Sequence, residues 1–97
     1  MANKTRRIIH SKMFEEDYKR LKTEVHRLED FIRGAEEILC RTPEVGKSTG
    51  NPYMLGLPMS ELTGNPKVVL YYGYNEKEVF FLTLAKAGDQ RPHAIVM

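Results

Sequence analysis

The residues best suited to chemistry are basic, and they lie where two predicted strands meet. Lys67 opens the first strand and Lys86 closes the second, so antiparallel pairing brings these two ends together. Arg91 and His93 follow in the tail. Lysine and arginine can stabilise charge on a phosphate, and histidine, with an ordinary pKa of ~6.5, can transfer a proton near neutral pH. Lysines at strand ends are also common solvated caps that discourage edge pairing, and this interpretation stays open.

Tandem tyrosines lie within the first of these strands. Tyr71 and Tyr72 are neighbours in the run KVVLYYGY, on the same hairpin as the basic side chains. Aromatic rings can stack on nucleic-acid bases, but in a strand they can equally pack against other side chains. The two tyrosines are therefore candidates for contact with bases or for the core.

Other familiar chemical motifs are absent from the sequence. The segment 45–50, VGKSTG, resembles a phosphate-binding loop, but Arg41 stands where its first glycine is needed and the segment follows a helix instead of a strand. Residues 50–52, Gly-Asn-Pro, also prevent the helix whose N-terminus would hold the phosphate. The three histidines have no ligand spacing, so we predict neither a metal site nor a cofactor.

Length and composition predict one globular domain spanning residues 1–97. The chain is 41% hydrophobic and 29% charged, close to the globular average and far from the composition of disordered chains. Cys40 is the one cysteine, which fits a reducing compartment, and we expect it to be buried in a helix. No apolar run approaches the roughly 18 residues of a membrane span, so we expect a cytoplasmic protein without membrane contact.

The charge distribution argues against tight, autonomous binding of nucleic acid. The net charge is +2; residues 1–41 hold ten Lys and Arg against eight Asp and Glu, and residues 42–97 hold five of each kind. A protein that binds nucleic acid mainly by neutralising phosphates usually shows a larger positive excess.

The apolar residues from Met13 to Cys40 recur with the period of an α-helix. One apolar residue recurs every three or four positions, as expected for a single buried helical face. These residues are Phe14, Tyr18, Leu21, Val25, Leu28, Ile32, Ala35 and Leu39. One long helix and a hairpin of two helices both fit, but a single helix of about 28 residues would be about 42 Å long and overhang a small sheet. We favour two helices, with Thr23 as a candidate N-cap and Pro43 ending the second.

The remaining pattern predicts a small antiparallel sheet. Arg6–His10 is expected to form an edge strand that leads into Ser11 as a helix N-cap. Lys67–Tyr74 and Glu78–Ala87 are expected to form a hairpin, and a short strand is expected around Tyr53–Leu57. The tail after residue 88 is a candidate for a further edge strand.

Both faces of the last hairpin strand are apolar, as in a strand covered on each side. One face must meet the helices, and what covers the other is open. The alternation places Phe80, Leu82 and Leu84 on one face and Val79, Phe81 and Thr83 on the other.

The order of these elements resembles the toxins of the RelE/ParE superfamily, from type II toxin–antitoxin systems. The resemblance covers residues 6–90 and is most specific at the turn Pro43–Gly46 and in the tandem-tyrosine strand with the following strand that ends in Ala85–Ala87. It also includes the helical segments FEEDYKRL and LEDFIRGAEEILCRTPEVGK. It implies an α+β fold, in which an N-terminal helical hairpin packs on one face of a small antiparallel sheet.

This resemblance also implies an activity and a partner. The expected activity is metal-independent cleavage of ribosome-bound messenger RNA, inhibited by a cognate antitoxin that covers the second apolar face. Lys67 and Lys86 would stabilise the phosphate, Arg91 would assist them, and His93 would transfer the proton. Single stabilising groups of this kind contribute about 3–4 kcal/mol to catalysis.

The chain departs from the family pattern before the hairpin. Active nucleases of this family usually carry several basic residues there, but residues 53–64, YMLGLPMSELTG, hold none and include Glu61. Lys47 is the nearby substitute, and with Tyr71 and Tyr72 it completes the expected RNA-binding set. Two alternatives therefore stay open: a ParE-like toxin that inhibits DNA gyrase by contact without catalysis, and an inactive relative that only binds its antitoxin.

Overall fold

The computed structural model describes residues 5–59 and 68–86, which form two helices, one short 3₁₀ turn and five strands. In chain order these are β1 (Arg7–His10), α1 (Lys12–Leu21), α2 (Leu28–Leu39), the 3₁₀ turn (Pro43–Val45), β2 (Lys47–Ser48), β3 (Leu55–Pro58), β4 (Val68–Tyr74) and β5 (Glu78–Lys86). Neither described helix is long and apolar enough to cross a membrane. The predicted tail strand lies outside the described residues.

The five strands form one mixed sheet in the order β1-β5-β4-β3-β2. β1 is an edge strand, as predicted, but it runs parallel to β5, so the prediction of a purely antiparallel sheet is wrong. The N–H of Arg7 donates to the carbonyl of Lys77 and that of Ser11 to the carbonyl of Phe81. A tight turn forces antiparallel pairing only on the strands it joins, whereas the helices between β1 and β5 allow either direction.

The helical segment divides into two helices, in agreement with the favoured alternative. Ser11 caps α1 as predicted, because its Oγ accepts a hydrogen bond of 3.0 Å from the N–H of Phe14. The prediction that Thr23 caps α2 is wrong: Thr23 Oγ1 donates to the carbonyl of Arg20. α2 instead follows Arg27, whose φ of 67° is a left-handed conformation that interrupts the helical path.

The predicted apolar stripe forms the helical half of the core. Of its eight residues, Tyr18 is half-buried and the other seven are buried. They share one hydrophobic cluster with buried side chains of the sheet, among them Leu57, Leu70, Tyr72, Val79, Phe81 and Leu84. Both helices therefore contribute to the core on the same side of β3, β4 and β5.

A β-bulge at Leu82 changes the alternation along β5. Tyr71 pairs with Thr83 and Tyr72 pairs with Phe81, so Leu82 has no partner in the ladder with β4. Thr83 and the next residue, Leu84, are both buried; the Thr83 hydroxyl contacts Asp17 of α1, and Leu84 belongs to the hydrophobic cluster that the helices share. The predicted alternation therefore fails at Leu84, which lies in the core with Val79 and Phe81.

The structure also differs from two expectations for the residues at and after the end of α2. Cys40 is the C-cap of α2 and is half-buried, so the expectation of a buried helix residue is wrong. The segment predicted as loop contains β2, which pairs with Leu55 and Gly56 of β3. β3 itself begins and ends slightly later than the predicted strand.

Candidate nucleic-acid interface

The sheet has one face on which α1 and α2 do not pack, which we call the open face. Strand register defines its members, since paired residues share a face and alternate residues along a strand return to it. They include Arg7, Ile9, Lys47, Gly56, Val69, Tyr71, Gly73, Phe80 and Leu82; Thr83 pairs with Tyr71 at the bulge, but its hydroxyl contacts Asp17 of α1. The face therefore carries aromatic side chains in its centre and a cation on each edge strand.

Lys47 and Tyr71 lie together on this face. Lys47 pairs with Gly56, and Gly56 pairs with Tyr71, so the three residues form one row across β2, β3 and β4. A Cβ atom on Gly56 would lie 3.4 Å from Cε1 of Tyr71, which shows that the ring lies against the glycine. The two side chains border a hollow of about 230 Å³. Burial raises the pKa of the Tyr71 hydroxyl, which therefore stays protonated at neutral pH.

Phe80 lies on the open face beside a second glycine. It pairs with Gly73 of β4 and with Ile9 of β1. Together with Leu82 and Tyr53 it borders a larger hollow of about 650 Å³. Tyr53 is 83% exposed, and its carbonyl oxygen would lie 2.8 Å from a Cβ atom on Gly73, so only a glycine fits at this crossing.

An ion pair lies at the edge of the open face near Phe80. The Arg7 guanidinium contacts a carboxylate oxygen of Glu78 at 2.8 Å, and the hydrogen bond from Arg7 lowers the pKa of Glu78. Arg7 is largely exposed. An exposed pair of this kind is weak, so an incoming phosphate can compete for the guanidinium.

Lys86 lies on the other side of the sheet from Lys47 and Tyr71. It pairs with Val68, which belongs to the core. Its Nζ donates a hydrogen bond of 2.8 Å to Oε1 of Glu24, in the connection between the helices, and this bond lowers the pKa of Glu24. The bulge at Leu82 accounts for this, since it shifts the alternation by one residue before β5 ends.

Tyr72 is fully buried and has a structural role. Its hydroxyl donates to the carbonyl of Pro43 and accepts a 2.9 Å hydrogen bond from the N–H of Gly46. Burial raises its pKa to about 12. A ring without exposed surface has no face for a base, so we do not include Tyr72 in the interface; it holds the 3₁₀ turn against the sheet.

Three of the predicted site residues, Lys67, Arg91 and His93, lie outside the described residues. The pairing of Val68 with Lys86 does show that the start of β4 and the end of β5 meet, as the sequence predicted. Of the predicted set, the structure thus brings Lys47 and Tyr71 together and places Lys86 on the opposite side.

A separate hollow of about 500 Å³ lies between the helices. There Nε2 of His10 contacts Oε2 of Glu36 at 2.9 Å, and the His10 ring stacks on Phe81. The rim carries charges of both signs, from Glu15, Lys19, Lys22, Glu29, Arg33 and Glu36. Within residues 5–59 and 68–86, no group of three His, Cys, Asp or Glu side chains is placed to hold a metal ion.

Comparison with known proteins finds a match in structure but none in sequence. No family model matches the chain, and no curated protein matches it in sequence. A solved structure matches in its fold. A chain of the E. coli DinJ-YafQ toxin-antitoxin complex superposes with a TM-score of 0.64 at 14% identity, over 96% of this chain and 98% of that chain. The chain therefore shares the fold of this chain of the toxin-antitoxin complex. The resemblance predicted from the sequence is thus confirmed for the fold.

Sequence reasoning missed the part of the open face around Phe80. Phe80 and Arg7 were not among the predicted site residues, because nothing in the sequence indicated which face of β5 meets the helices. One signal was available: Gly56 and Gly73 lie at open-face positions of strands that are otherwise apolar. Glycine within a strand often marks a site of close approach.

Proposed function

We propose that this protein is the toxin of a type II toxin–antitoxin pair, and that it cleaves messenger RNA during translation. The observation that supports this most is the fold, which extends over almost the whole chain and matches a structure whose components are a toxin and an antitoxin. The open face adds to it, because Lys47 and Tyr71 combine a cation with a half-exposed ring, the combination used to bind single-stranded nucleic acid.

The proposed partner in the resting cell is a cognate antitoxin. The solved relative is a toxin in complex with its antitoxin. On this chain, Phe80 and Leu82 leave apolar surface on the open face. A partner protein that covers this surface would bury the apolar side chains and at the same time block access to Lys47 and Tyr71.

The proposed reaction is attack of an RNA 2′-oxygen on the adjacent phosphorus, which breaks the bond to the 5′-oxygen. His93 takes the proton from the 2′-hydroxyl or donates one to the leaving 5′-oxygen, and basic groups stabilise the negative charge on the phosphorane. Lys67, Lys86 and Arg91 are proposed for this second role. Lys86 now contacts Glu24, but both side chains of that pair are about half exposed, so a phosphate can displace the carboxylate.

A double substitution tests the catalytic assignment. Lys86→Ala with His93→Ala should leave the protein folded but unable to arrest cell-free translation or to break the message. The matched control is Lys77→Ala, which removes an exposed lysine from the turn before β5. If the double variant arrests translation as the wild type does, these residues are not catalytic.

The second candidate is inhibition of DNA gyrase by contact, without catalysis. It is favoured by the scarcity of positive charge: among the described open-face residues the basic ones are Lys47 and Arg7, and Arg7 contacts Glu78. Loss of supercoiling when the purified protein is added to gyrase, with messenger RNA left intact, would select this candidate. A protein that affects neither process but binds the antitoxin would be an inactive relative.

A further inference from the structure

The two aromatic side chains on the open face share one structural arrangement. Tyr71 lies beside Gly56 of β3, and Phe80 lies beside Gly73 of β4. Gly56 has no side chain to cover the Tyr71 ring, whereas the carbonyl of Tyr53 lies over Gly73; a hollow borders each ring. Both rings are half-buried, which means that they are fixed in place but accessible on one side.

The two hollows are neighbours and differ in charge. Met54 borders both of them. The hollow beside Tyr71 includes Lys47, whereas the described residues that line the hollow beside Phe80 are uncharged. The surface therefore offers a site for a phosphate next to a larger site for a flat, uncharged group.

The spacing of the rings suits a polymer with one flat group per unit. Tyr71 and Gly73 are alternate residues of β4, and Phe80 pairs with Gly73, so Phe80 is the diagonal neighbour of Tyr71 across the two strands. Such neighbours lie about 7–8 Å apart. Successive bases of an extended single strand can therefore reach both rings, with phosphates toward Lys47 on one edge and Arg7 on the other.

We propose that the hollow beside Phe80 binds an unpaired base of single-stranded RNA, next to the nucleotide held at Lys47 and Tyr71. This inference rests on the proposed function for its substrate class. A base is favoured over an apolar peptide side chain as the occupant, because the cations at both edges of the open face match phosphates. These cations would have no role in binding an apolar side chain. Stacking on aromatic side chains also tolerates any base, so the subsite adds affinity without sequence preference.

The test measures binding apart from cleavage. A fluorescently labelled single-stranded oligodeoxynucleotide lacks the 2′-hydroxyl and cannot be cut by the proposed reaction. Phe80→Leu removes the ring and keeps apolar volume, and Phe80→Tyr keeps a ring. The matched control is Tyr18→Leu, which removes a half-buried ring of α1 from the separate hollow between the helices.

The expected result is about a fivefold or greater loss of affinity for Phe80→Leu, with wild-type affinity for the other two variants. Circular dichroism melting of each variant verifies that it is folded. Unchanged affinity of Phe80→Leu, or no binding by the wild type at low salt, would overturn the inference. So would a Phe80→Leu variant that loses affinity for the antitoxin but keeps it for the oligonucleotide, since the hollow would then hold a peptide.

Failure of this inference is distinguishable from failure of the proposed function. If the wild type cleaves messenger RNA and Phe80→Leu binds the oligonucleotide normally, the function stands and the subsite does not. If the wild type cleaves nothing and binding still depends on the Phe80 ring, the subsite stands and the nuclease assignment does not.

Discussion

The backbone N–H of Leu84 donates a 3.2 Å hydrogen bond to Oδ2 of Asp17, which joins α1 to β5 beside the bulge. The same oxygen accepts from the hydroxyl of Thr83, and the other carboxylate oxygen accepts from Arg20. A bulge removes backbone groups from the ladder, and Asp17 supplies a partner for one of them. The Asp17 carboxylate thus stabilises the bulge. The bulge in turn determines on which side of the sheet Lys86 lies.

Removal of the Asp17 carboxylate should destabilise the fold. Asp17→Ala leaves the Thr83 hydroxyl and the Leu84 N–H without this acceptor in a largely buried position, at a cost of about 2–3 kcal/mol in the free energy of unfolding. Urea denaturation measures it, with Glu16→Ala on the exposed side of α1 as the control, expected within ~0.5 kcal/mol. Equal midpoints for the two variants would show that the bulge does not depend on Asp17.

The Tyr72 hydroxyl should contribute to stability until it ionises. Tyr72→Phe leaves the carbonyl of Pro43 and the N–H of Gly46 unpaired, which should cost about 1–3 kcal/mol. Because the folded-state pKa is about 12, against 10.0 for the ordinary side chain, the contribution is complete below pH 10 and declines as the pH rises toward 12.

The measurement compares urea unfolding of wild type and Tyr72→Phe between about pH 8 and about pH 11, a range that spans the ordinary tyrosine pKa. The difference between them should shrink at the upper end. Tyr53→Phe, at an 83% exposed position, is the control and should match the wild type throughout. A difference independent of pH would contradict the buried, neutral hydroxyl.

The Lys86–Glu24 contact should be visible in a titration. The hydrogen bond from Lys86 lowers the pKa of Glu24, so Lys86→Met should move the Glu24 titration to higher pH, toward its ordinary pKa of 4.5. NMR of the side-chain carboxyl carbons measures this directly. Lys77→Met removes another exposed lysine and should leave Glu24 unchanged. If Glu24 titrates alike in all three proteins, Lys86 does not contact it in solution.

Lys47 should contribute to nucleic-acid binding through its charge alone. Lys47→Gln should weaken binding of the oligodeoxynucleotide and reduce the slope of log affinity against log salt by about one. Lys77→Gln, outside the open face, is the matched control and should keep the wild-type slope. Equal slopes for the two variants would remove Lys47 from the interface.

Much of the fold follows from local patterns in the sequence. The stripe from Phe14 to Leu39 predicts buried helical faces because a period of three and four residues has few other interpretations. Ser11 was recognisable as a cap, and the last hairpin as two β-rich runs around a short polar turn. These features depend on neighbours in sequence, where pattern and structure are directly linked.

Features that depend on distant contacts could not be predicted in the same way. The parallel pairing of β1 with β5 depends on the path of the chain through both helices. The bulge at Leu82 depends on Asp17, far earlier in the sequence. Because that bulge reverses the alternation, the sequence pattern alone could not place Lys86 opposite Tyr71, nor show that Phe80 lies on the open face.

Mapping of RNA ends in a cell-free translation reaction tests the central claim most directly. The account predicts that the purified wild-type protein breaks a messenger RNA within its translated region, and only while ribosomes translate it. Co-addition of the antitoxin should prevent the breaks. An intact messenger in a reaction whose translation has stopped would contradict the nuclease assignment.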